Sequence, residues 1–516
     1  MTSEVSTPSG VSLGRRRWRV ALATAFNRSF PWYAGRMLTA VCAALIHGGA
    51  AQAQSLLELY RWADAADPAL ASVRAQHQAT REREDQARAA FGVTANLTFS
   101  NSHSQYYEPT NGITPDPRTF NTRQAALQFN QPIYKPVLTA QLQQAKAQSE
   151  QARLQAEQTR IESVQRFVEA TFELLKARDT LRYLQGEQES TAAQMAQAKR
   201  SFTVGTVAIT DVRDAQAKAD MVAAQVTAAQ ADLSLRHELF LDLVGREAPA
   251  LLGRELKGDA VPSLDPAGLP EWMADAHSAS PALRQAQWAL QAARQETRKA
   301  DMAHAPTLDA SYGYTRTSET GSVTSTQKRT AEQIQMGVTL TIPLYASGAL
   351  HSKQRESLAL EQKAQADLES ARRALAVNVR QNFSAALSAI SQAKGLTTAV
   401  NSQAVALRAN QRGYEVGMKV NSEVLAAQSK LFEAQRDLSK ARYDAWLAYF
   451  KLKGAAGQLD EIELERLDVL LTPLDKPMEL SDAILHPREL PPLKLQPIGA
   501  TRPGDREGVN APIGVP

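Results

Sequence analysis

Two short stretches of the chain, more than 200 residues apart, carry the same pattern of residues. The first reads RSFTVGTVAITDVRDAQAK over positions 200–218, and the second reads QRGYEVGMKVNSEVLAAQSK over positions 411–430. Each has an aromatic residue, one further residue and a Val-Gly pair, followed by a short polar stretch, a valine and an Ala-Gln pair. A pattern that returns at a fixed distance is typical of a duplicated unit, and Gly205 and Gly417 are 212 positions apart.

Two further landmarks repeat at almost the same distance. Pro68 in DPAL and Pro281 in SPAL are 213 positions apart, and Tyr134 in QPIYKP and Tyr345 in IPLYAS are 211 positions apart. One shared turn could arise by chance, but three landmarks at one distance indicate a duplication. The sequence therefore predicts two copies of a unit of about 210 residues.

Each copy contains two runs in which apolar and polar residues alternate. A period of two over this length indicates strands with one apolar and one polar face, so we predict β-hairpins at 93–131 and 307–344. The residues predicted to share the apolar face are Val93, Ala95, Leu97, Phe99, Ala125, Leu127, Phe129, Leu308, Ala310, Tyr312, Tyr314, Ile334, Met336, Val338, Leu340 and Ile342.

A long stretch without proline follows each hairpin. Aromatic residues make up only 6% of the chain, and Ala, Gln, Arg and Glu dominate these stretches, which favours long helices with a narrow apolar seam. We predict helices at 137–201 and 346–413, each roughly 100 Å long at ~1.5 Å per residue. The seam of the first has coiled-coil-like spacing and comprises Leu138, Leu142, Ala145, Ala152, Ala156, Ile161, Val164, Val168, Phe172 and Leu175.

The shorter predicted helices flank the long ones, at 57–90 and 208–244 in the first copy and at 275–303 and 419–456 in the second. Placed end to end, each pair is about as long as the long helix beside it, which predicts a wall where one long helix runs along two shorter ones. The turns at 202–211 and 414–423 join long and returning helices. Glycine there suits a left-handed helix end, and we expect Thr210-Asp211 and Asn421-Ser422 to cap the returning helices.

The predicted organisation is a first repeat at 54–244, a linker at 245–275, a second repeat at 276–456 and a terminal segment at 457–516. The terminal segment is rich in proline, and we expect most of it to be disordered.

The N-terminal segment, 1–53, is predicted to be a secretory signal peptide. An apolar run is followed by small residues and by Ala-Gln-Ala, which ends at Ala53 and fits a cleavage site. The region before this run is unusually long, so Met37 is a possible true start. The only cysteine of the chain, Cys42, lies in the apolar run, and the mature chain would therefore carry no thiol or disulfide chemistry.

Several classes of function are excluded by what the sequence lacks. The formal net charge of +4 is small, and basic residues are interspersed with acidic ones, so no nucleic-acid surface is predicted. No P-loop, G-x-S-x-G or H-E-x-x-H motif occurs, and the eight histidines are not at metal-ligand spacing. We therefore predict no enzyme activity, catalytic residue, metal site or cofactor. The energy for any transport would have to come from a partner, which indicates a passive conduit.

A four-stranded sheet with one apolar face needs a cover, and four strands cannot close a barrel. Two interpretations follow. In one, several chains contribute strands to a membrane β-barrel, since bacterial barrels begin at about eight strands. In the other, the sheet is soluble and covers a helical layer.

The order helix, hairpin, long helix, turn and helix, with FTVGTVAITDV and YEVGMKVNSEVLAAQ at the turns, resembles the TolC family of outer-membrane efflux and secretion channels. The resemblance covers about residues 55–457. It implies a mixed, mainly α fold: a homotrimer with a 12-stranded β-barrel in the outer-membrane lipid, continued by a long periplasmic α-helical barrel. An equatorial belt would include residues 245–275 and the segment from 457 on.

The function implied is an exit duct for tripartite efflux or type I secretion. Such a duct passively conducts cargo from an inner-membrane ABC or proton-driven transporter, joined through a periplasmic adaptor protein. The resemblance also implies that the adaptor docks at the turns, on Val204, Gly205, Thr206, Val416, Gly417 and Met418. The alternative is a periplasmic coiled-coil scaffold or a surface fibre whose hairpins only mediate assembly.

The resemblance further implies a gate at the turns. Tyr414 would bond Asp211 within a chain, and Lys419 would reach Thr210 and Asp211 of the neighbouring chain. Lys419 stands where family members with this gate carry arginine, and lysine lacks the bidentate geometry of arginine, so the latch is expected to be weaker here.

By the same resemblance, Glu423 matches an aspartate that forms an acidic ring at the channel entrance. The next acidic position of such relatives, one helical turn on, is Ala426 in this chain, so we expect one ring. The plainer interpretation is that Asp211 and Glu423 are solvated charges that interact with the positive ends of their helices.

Overall fold

The structure is a computed structural model, and it describes residues 55–107, 118–246, 249–257, 260–264 and 268–473. The predicted signal peptide with Met37, Cys42 and the cleavage site lies outside the described residues. The tip of the first hairpin, at 108–117, and the proline-rich end of the chain, at 474–516, also lie outside them.

The described elements follow the same order twice along the chain. The first half contains α1 (Leu56–Ala66), α2 (Pro68–Ala89), β1 (Thr94–Tyr106), β2 (Arg118–Tyr134), α3 (Pro136–Thr203) and α4 (Ile209–Val244). A connection with α5 (Pro249–Leu252) and β3 (Arg254–Leu256) follows. The second half contains α6 (Leu269–Ala279), α7 (Pro281–Met302), β4 (Thr307–Glu319), β5 (Arg329–Thr341), α8 (Ala349–Glu415) and α9 (Asn421–Ala455), and then α10 (Glu461–Leu470) and β6 (Leu471–Pro473).

The two hairpins join into one antiparallel sheet with the strand order β1-β2-β4-β5. One cross-strand row runs through Leu97, Leu127, Tyr314 and Ile334, which are direct partners in register. The pairing of β2 with β4 shifts between Pro132 and Tyr134, close to the start of the long helix. Because side chains alternate across a sheet, this register assigns every residue of the four strands to one of two faces.

One face of the sheet is apolar from edge to edge, and nothing among the described residues covers it. Leu97, Met336 and Val338 are 62%, 74% and 67% exposed, respectively. The interpretation in which the sheet covers a helical layer is therefore wrong for the described residues, because none of their helices packs on this face. The opposite face is polar and includes Thr94, Asn96, Thr98, Gln124, Gln128, Ser311, Thr339 and the small residues Gly313 and Gly337.

The two edges of the sheet are also open. Within the described part of the chain, β1 pairs only with β2, and β5 pairs only with β4. The outer N–H and C=O groups of both edge strands therefore lack a strand partner, which makes them templates for pairing with another chain.

The long helix α3 is the centre of the helical region. It contains 68 residues, which corresponds to about 100 Å, and it begins with Pro136, whose missing N–H costs nothing in a first turn. It packs against α2 and α4 of its own half and against α7 and α9 of the other. Within the described ranges, no helix carries an apolar stretch long enough to cross a membrane.

The core of the helical region is built on the predicted seam of α3. Ile161, Val164, Val168, Phe172 and Leu175 are all buried, together with Leu138 and Ala145, whereas Leu142, Ala152 and Ala156 are half-buried. Aromatic contacts add to this core: the Tyr60 and Phe167 ring centroids are 5.6 Å apart, and those of Phe172 and Tyr443 are 5.5 Å apart.

A two-stranded ribbon lies beside the middle of α3. It pairs β3 with β6 and so brings residues from the predicted linker next to residues that follow α10. The fully buried guanidinium of Arg178 on α3 donates from Nη1 to the carbonyl oxygens of Leu252, at 3.0 Å, and of Arg254. The side chain of Arg178 therefore ties this ribbon to the helices.

The charge of Arg178 is balanced by the adjacent Asp179, which is also buried. Arg178 Nε donates to Asp179 Oδ1 at 2.9 Å. Asp179 Oδ2 accepts from Ser439 Oγ at 2.7 Å and from the Tyr443 hydroxyl at 3.2 Å, both on α9. Burial, together with the negative charge of Asp179, raises the pKa of Tyr443, so the phenol stays protonated and donates. This network was not anticipated from the sequence.

We expect Asp179→Ala to lower the free energy of unfolding by about 3–5 kcal/mol, because it leaves the buried guanidinium of Arg178 without its counter-charge. Urea unfolding of the detergent-solubilised protein, followed by far-UV circular dichroism, measures the change. Glu169→Ala is the control, since it breaks an exposed ion pair with Lys451 worth at most about 1 kcal/mol. Equal unfolding midpoints for the two variants would contradict the prediction.

Candidate gate at the helical tips

The two turns that carry the repeated motif have the same backbone geometry. Gly205 and Gly417 have φ angles of 78° and 75°, in the left-handed region where a side chain is disfavoured. The N–H that follows each glycine closes the helix end, from Thr206 to the Ser201 oxygen at 3.0 Å and from Met418 to the Gly413 oxygen at 2.8 Å. These are paired Schellman motifs, and they explain why the chain repeats Val-Gly at this point.

The predicted caps of the returning helices are wrong. The N-cap residues of α4 and α9 are Ala208 and Val420, and neither helix has a side-chain cap hydrogen bond. Thr210-Asp211 and Asn421-Ser422 lie inside the first helical turns instead. The observed N-caps lie two residues before Thr210 and one residue before Asn421, so both turns are shorter than predicted. After the Schellman closure, only a few residues remain to join the two helices.

Asp211 and Glu423 occupy equivalent positions in the two repeats. Each is the third residue of its returning helix, and each is partly exposed. A carboxylate in the first turn interacts favourably with the positive end of the helix, typically by about 0.3–1 kcal/mol. The same geometry thus places one acidic side chain at each tip of the chain.

The two tips lie side by side. Ala198 of α3, Val212 and Ala215 of α4, and Leu425 of α9 form one buried cluster close to the turns. Further along the same helices, the side-chain amides of Gln194 and Gln428 are hydrogen-bonded to each other. The structure therefore brings the predicted gate residues of both repeats to the same end of the helical region.

Lys419 forms an ion pair within its own chain. Its Nζ forms an ion pair with Glu423, four residues on, and the two side chains are 46% and 43% exposed. Its stem lies over Gly413, where an added Cβ would be only 2.7 Å from Lys419 Cγ. The spacing of four residues between Lys419 and Glu423 in the sequence is a signal for such a pair. An exposed pair of this kind is worth about 0.3–0.5 kcal/mol, so it is easily exchanged.

The predicted bond between Tyr414 and Asp211 is not formed in this structure. Both residues are described, and no hydrogen bond joins the tyrosine hydroxyl to the carboxylate. The predicted contacts of Lys419 with Thr210 and Asp211 involve a neighbouring chain, so a single chain does not test them. In the present arrangement the amine of Lys419 is engaged with Glu423 instead.

The outer surface of the tips is apolar. Val204 and Met418 are 74% and 78% exposed, and Val416 is also well exposed. The Schellman bonds engage the N–H groups of both glycines and of the residues after them, so these side chains project from well-defined turns. Exposed valine and methionine are suited to a protein contact. In the described residues, no group of three or more His, Cys, Asp or Glu side chains is placed to hold a metal ion.

Comparison with known proteins decides what class of protein carries these tips. A family model described as outer membrane efflux protein matches two segments of the chain, 59–239 and 272–458. The chain belongs to this family. The matched segments contain the long helices and the returning helices of both halves.

Individual relatives support the same family assignment. The chain is 31% identical over 414 residues to outer membrane protein TolC of Vibrio cholerae, covering 79% of this chain and 92% of that protein. It is 29% identical to TolC of Escherichia coli, covering 85% and 88%. It is 26% identical to the alkaline protease secretion protein AprF of Pseudomonas aeruginosa, covering 80% and 86%.

The fold is that of outer-membrane channels. The crystal structure of the outer membrane protein VceC from Vibrio cholerae superposes with a TM-score of 0.65 at 17% identity, covering 78% of this chain and 96% of that chain. The resemblance to the TolC family is therefore confirmed. The protein is a mainly helical outer-membrane duct for efflux or secretion that extends into the periplasm, and its family consists of channels rather than enzymes.

Proposed function

We propose that three copies of the chain assemble into one conduit, with a 12-stranded β-barrel in the outer membrane, an α-helical barrel in the periplasm and an equatorial belt. It conducts cargo passively to the exterior from an inner-membrane transporter. The observation that carries this proposal is the four-stranded sheet, whose apolar face is uncovered and whose two edges are open. Lipid covers the face, and strands of other copies close the edges.

Three copies suit a duct better than two. Two copies would supply eight strands, and the interior of an eight-stranded barrel is just filled by side chains or holds one small ligand. Three copies supply twelve strands and a wider interior. The polar face of the sheet, with Gln128, Ser311, Gly313 and Gly337, would line this interior, which suits a water-filled path.

The equatorial belt is assigned to the ribbon of β3 and β6 with its neighbours. Residues 245–275 and the segment after 457 meet there, and Arg178 anchors them to the middle of α3. A belt of this kind stiffens a tube wall at mid-height.

The partners are proposed from the tips and from the absence of energy-coupling motifs in the sequence. A periplasmic adaptor protein docks on Val204, Gly205, Thr206, Val416, Gly417 and Met418, and it connects the duct to an ABC or proton-driven transporter of the inner membrane. One relative is named for protease secretion, and the family is described as efflux proteins, so both types of transport are represented among similar proteins.

The alternative is a periplasmic scaffold or surface fibre. In that case the apolar face of the sheet would have to be buried between copies, face to face, rather than in lipid. Polar residues such as Thr98 and Gln124 would then form the exposed outer surface.

The assembly is tested with purified mature protein in detergent. Light scattering is expected to give the mass of a trimer, and planar bilayers are expected to conduct ions after its insertion. A stable monomer that conducts ions would contradict the trimer, whereas a trimer without conductance would favour the scaffold.

The lipid-facing surface provides a sharper prediction. Arg at Leu127 or at Val338 is expected to impair barrel assembly, since a charge on the lipid-facing side is destabilising, by up to about 2–4 kcal/mol at the bilayer midplane and by less towards the headgroups. The matched controls are Arg at Gln128 and at Thr339, which are the next residues along the same strands and face the interior. The fraction of trimer in outer-membrane extracts is the measurement. Equal tolerance at both positions of each pair would show that the faces are assigned wrongly.

The tips form the proposed gate, made of Thr210, Asp211, Tyr414 and Lys419. In a closed trimer, Lys419 reaches Thr210 and Asp211 of the neighbouring chain, and Tyr414 bonds Asp211. In the single chain, the amine of Lys419 is paired with Glu423. Glu423 would therefore compete with Thr210 and Asp211 of the neighbouring chain for this amine. Exchange of one weak ion pair for another lets the tips open at little cost.

Glu423 is proposed to form one acidic ring at the entrance, since position 426 is alanine. Its ion pair with Lys419 offsets its charge, so the two residues are expected to act in opposite directions on ion selectivity. Glu423→Ala removes three negative charges from the trimer and should reduce cation selectivity. Lys419→Met removes three positive charges and should increase it.

Reversal potentials under a salt gradient in planar bilayers measure both changes. Tyr414→Phe, which keeps the charge, is the control for selectivity and should raise only the conductance of the closed channel. If Glu423→Ala and wild type have the same reversal potential, Glu423 is a solvated charge outside the ion path.

A further inference from the structure

The apolar face of the sheet ends in a row that carries arginine. Towards the hairpin ends, the row of Leu97 and Tyr314 is followed by a row that contains Phe99, Ala125 and Arg316. Arg123 lies one row further on the same face. Successive rows are about 6.7 Å apart along a strand, so the two arginines lie at the margin of the apolar band.

Arg123 and Arg316 are diagonal neighbours on adjacent strands. Arg123 on β2 lies directly opposite Ser318 on β4, and Arg316 on β4 lies directly opposite Ala125 on β2. Arg316 is therefore two residues along β4 from the residue that faces Arg123. Long side chains interact at such diagonal positions. A cavity of about 410 Å³ lies between them, and its lining includes Phe99, Ala125 and Ser318. It is built by three strands of one chain, so it does not need a second copy.

The positive charge at this cavity is only partly balanced within the described part of the chain. Among the described residues, Arg123 has no ion pair and no side-chain hydrogen bond. Arg316 has Glu332 as its partner, with Nε and Oε1 3.7 Å apart and both side chains more than half exposed. The described residues thus provide one acidic partner, which is paired with Arg316, for two guanidinium groups. Guanidinium groups bind phosphate, like carboxylate, through two parallel N–H donors. Phosphate is the anion that a membrane lipid presents at this depth.

A second cavity lies on the same face, two to three rows nearer the helices. Its volume is about 720 Å³, and Val93, Phe129, Tyr312, Met336 and Val338 line it. Gln131 and Ser311 also line it, and the rest of its surface is mainly apolar. The distance from the arginine row to the row of Phe129 and Tyr312 is about 13 Å, within the length of a lipid acyl chain.

We propose that this face binds one phosphorylated lipid of the outer leaflet, with the phosphate on Arg123 and Arg316 and an acyl chain along Phe129, Tyr312 and Met336. The inference rests on the proposed function, because the hairpin ends lie opposite the helices, and the helices lie in the periplasm. The arginines then face the outer leaflet, at the depth of the lipid headgroups. Such a lipid would anchor the barrel at a fixed depth.

Native mass spectrometry of the detergent-solubilised protein tests the site, with diphosphorylated lipid A as the probe and its fully dephosphorylated form as the comparison. Wild type is expected to bind the phosphorylated form about tenfold more tightly or better, because two charge-assisted hydrogen bonds are lost with the phosphate. Arg123→Gln should remove this preference. Arg123→Lys, which keeps the charge without the paired donors, should retain part of it.

Arg329→Gln is the matched control, since Arg329 also lies near a hairpin end but on the polar face of the sheet. It should leave the preference unchanged. An unchanged preference in Arg123→Gln would overturn the proposal, and so would full competition by inorganic phosphate at millimolar concentration, which would indicate a site for free anions. The same spectra report the oligomeric mass, so a failure of the trimer is distinguished from a failure of the lipid site.

Discussion

The sheet of four strands with open edges is the constraint on which the rest of the molecule depends. In the described part of the chain, the backbone groups of β1 and β5 have no strand partner on their outer sides, and the apolar face of the sheet is exposed. In the bilayer core, open edges are not tolerated, because every backbone group needs a partner there, which only a closed barrel provides. Four strands are too few to close one, and in the proposed assembly further copies of the chain supply the remaining strands.

The helical region differs between the halves in the way that such an assembly requires. Helix α3 is largely buried within the chain, on a core that includes Phe167 and Phe172, whereas α8 exposes several large apolar side chains along its length. These are Leu358, Leu360, Val377, Leu387 and Val405. Helix α3 thus holds the two halves of one chain together, and in the proposed trimer the apolar side chains of α8 would be available to the neighbouring chain.

The faces of the strands and the positions of the turns could be predicted from residues that are close together in the sequence. Period-two alternation predicted the faces of the strands, since side chains alternate regardless of context, and Gly205 and Gly417 marked turns that need a left-handed residue. The helix caps were mispredicted, because polar residues at 210–211 and 421–422 suit a first turn as well as a cap. The Arg178 network lay beyond prediction, since its partners Leu252 and Tyr443 are 74 and 265 positions away and only the fold brings them together.

The central claim is that β1 of one copy pairs with β5 of the next, and disulfide cross-linking tests it most directly. Within one chain these strands are separated by β2 and β4, about 14 Å in total, whereas a disulfide requires Cα atoms within about 7 Å. A chain with Cys42 replaced by Ser would carry Ser100→Cys on β1 together with one cysteine on the same face of β5, introduced in turn as Ala331→Cys, Gln333→Cys or Gln335→Cys. Oxidised outer membranes are expected to give covalent dimers and trimers on a denaturing gel for at least one pair, and the single-cysteine variants should not do so. Monomer alone for every pair would contradict the account.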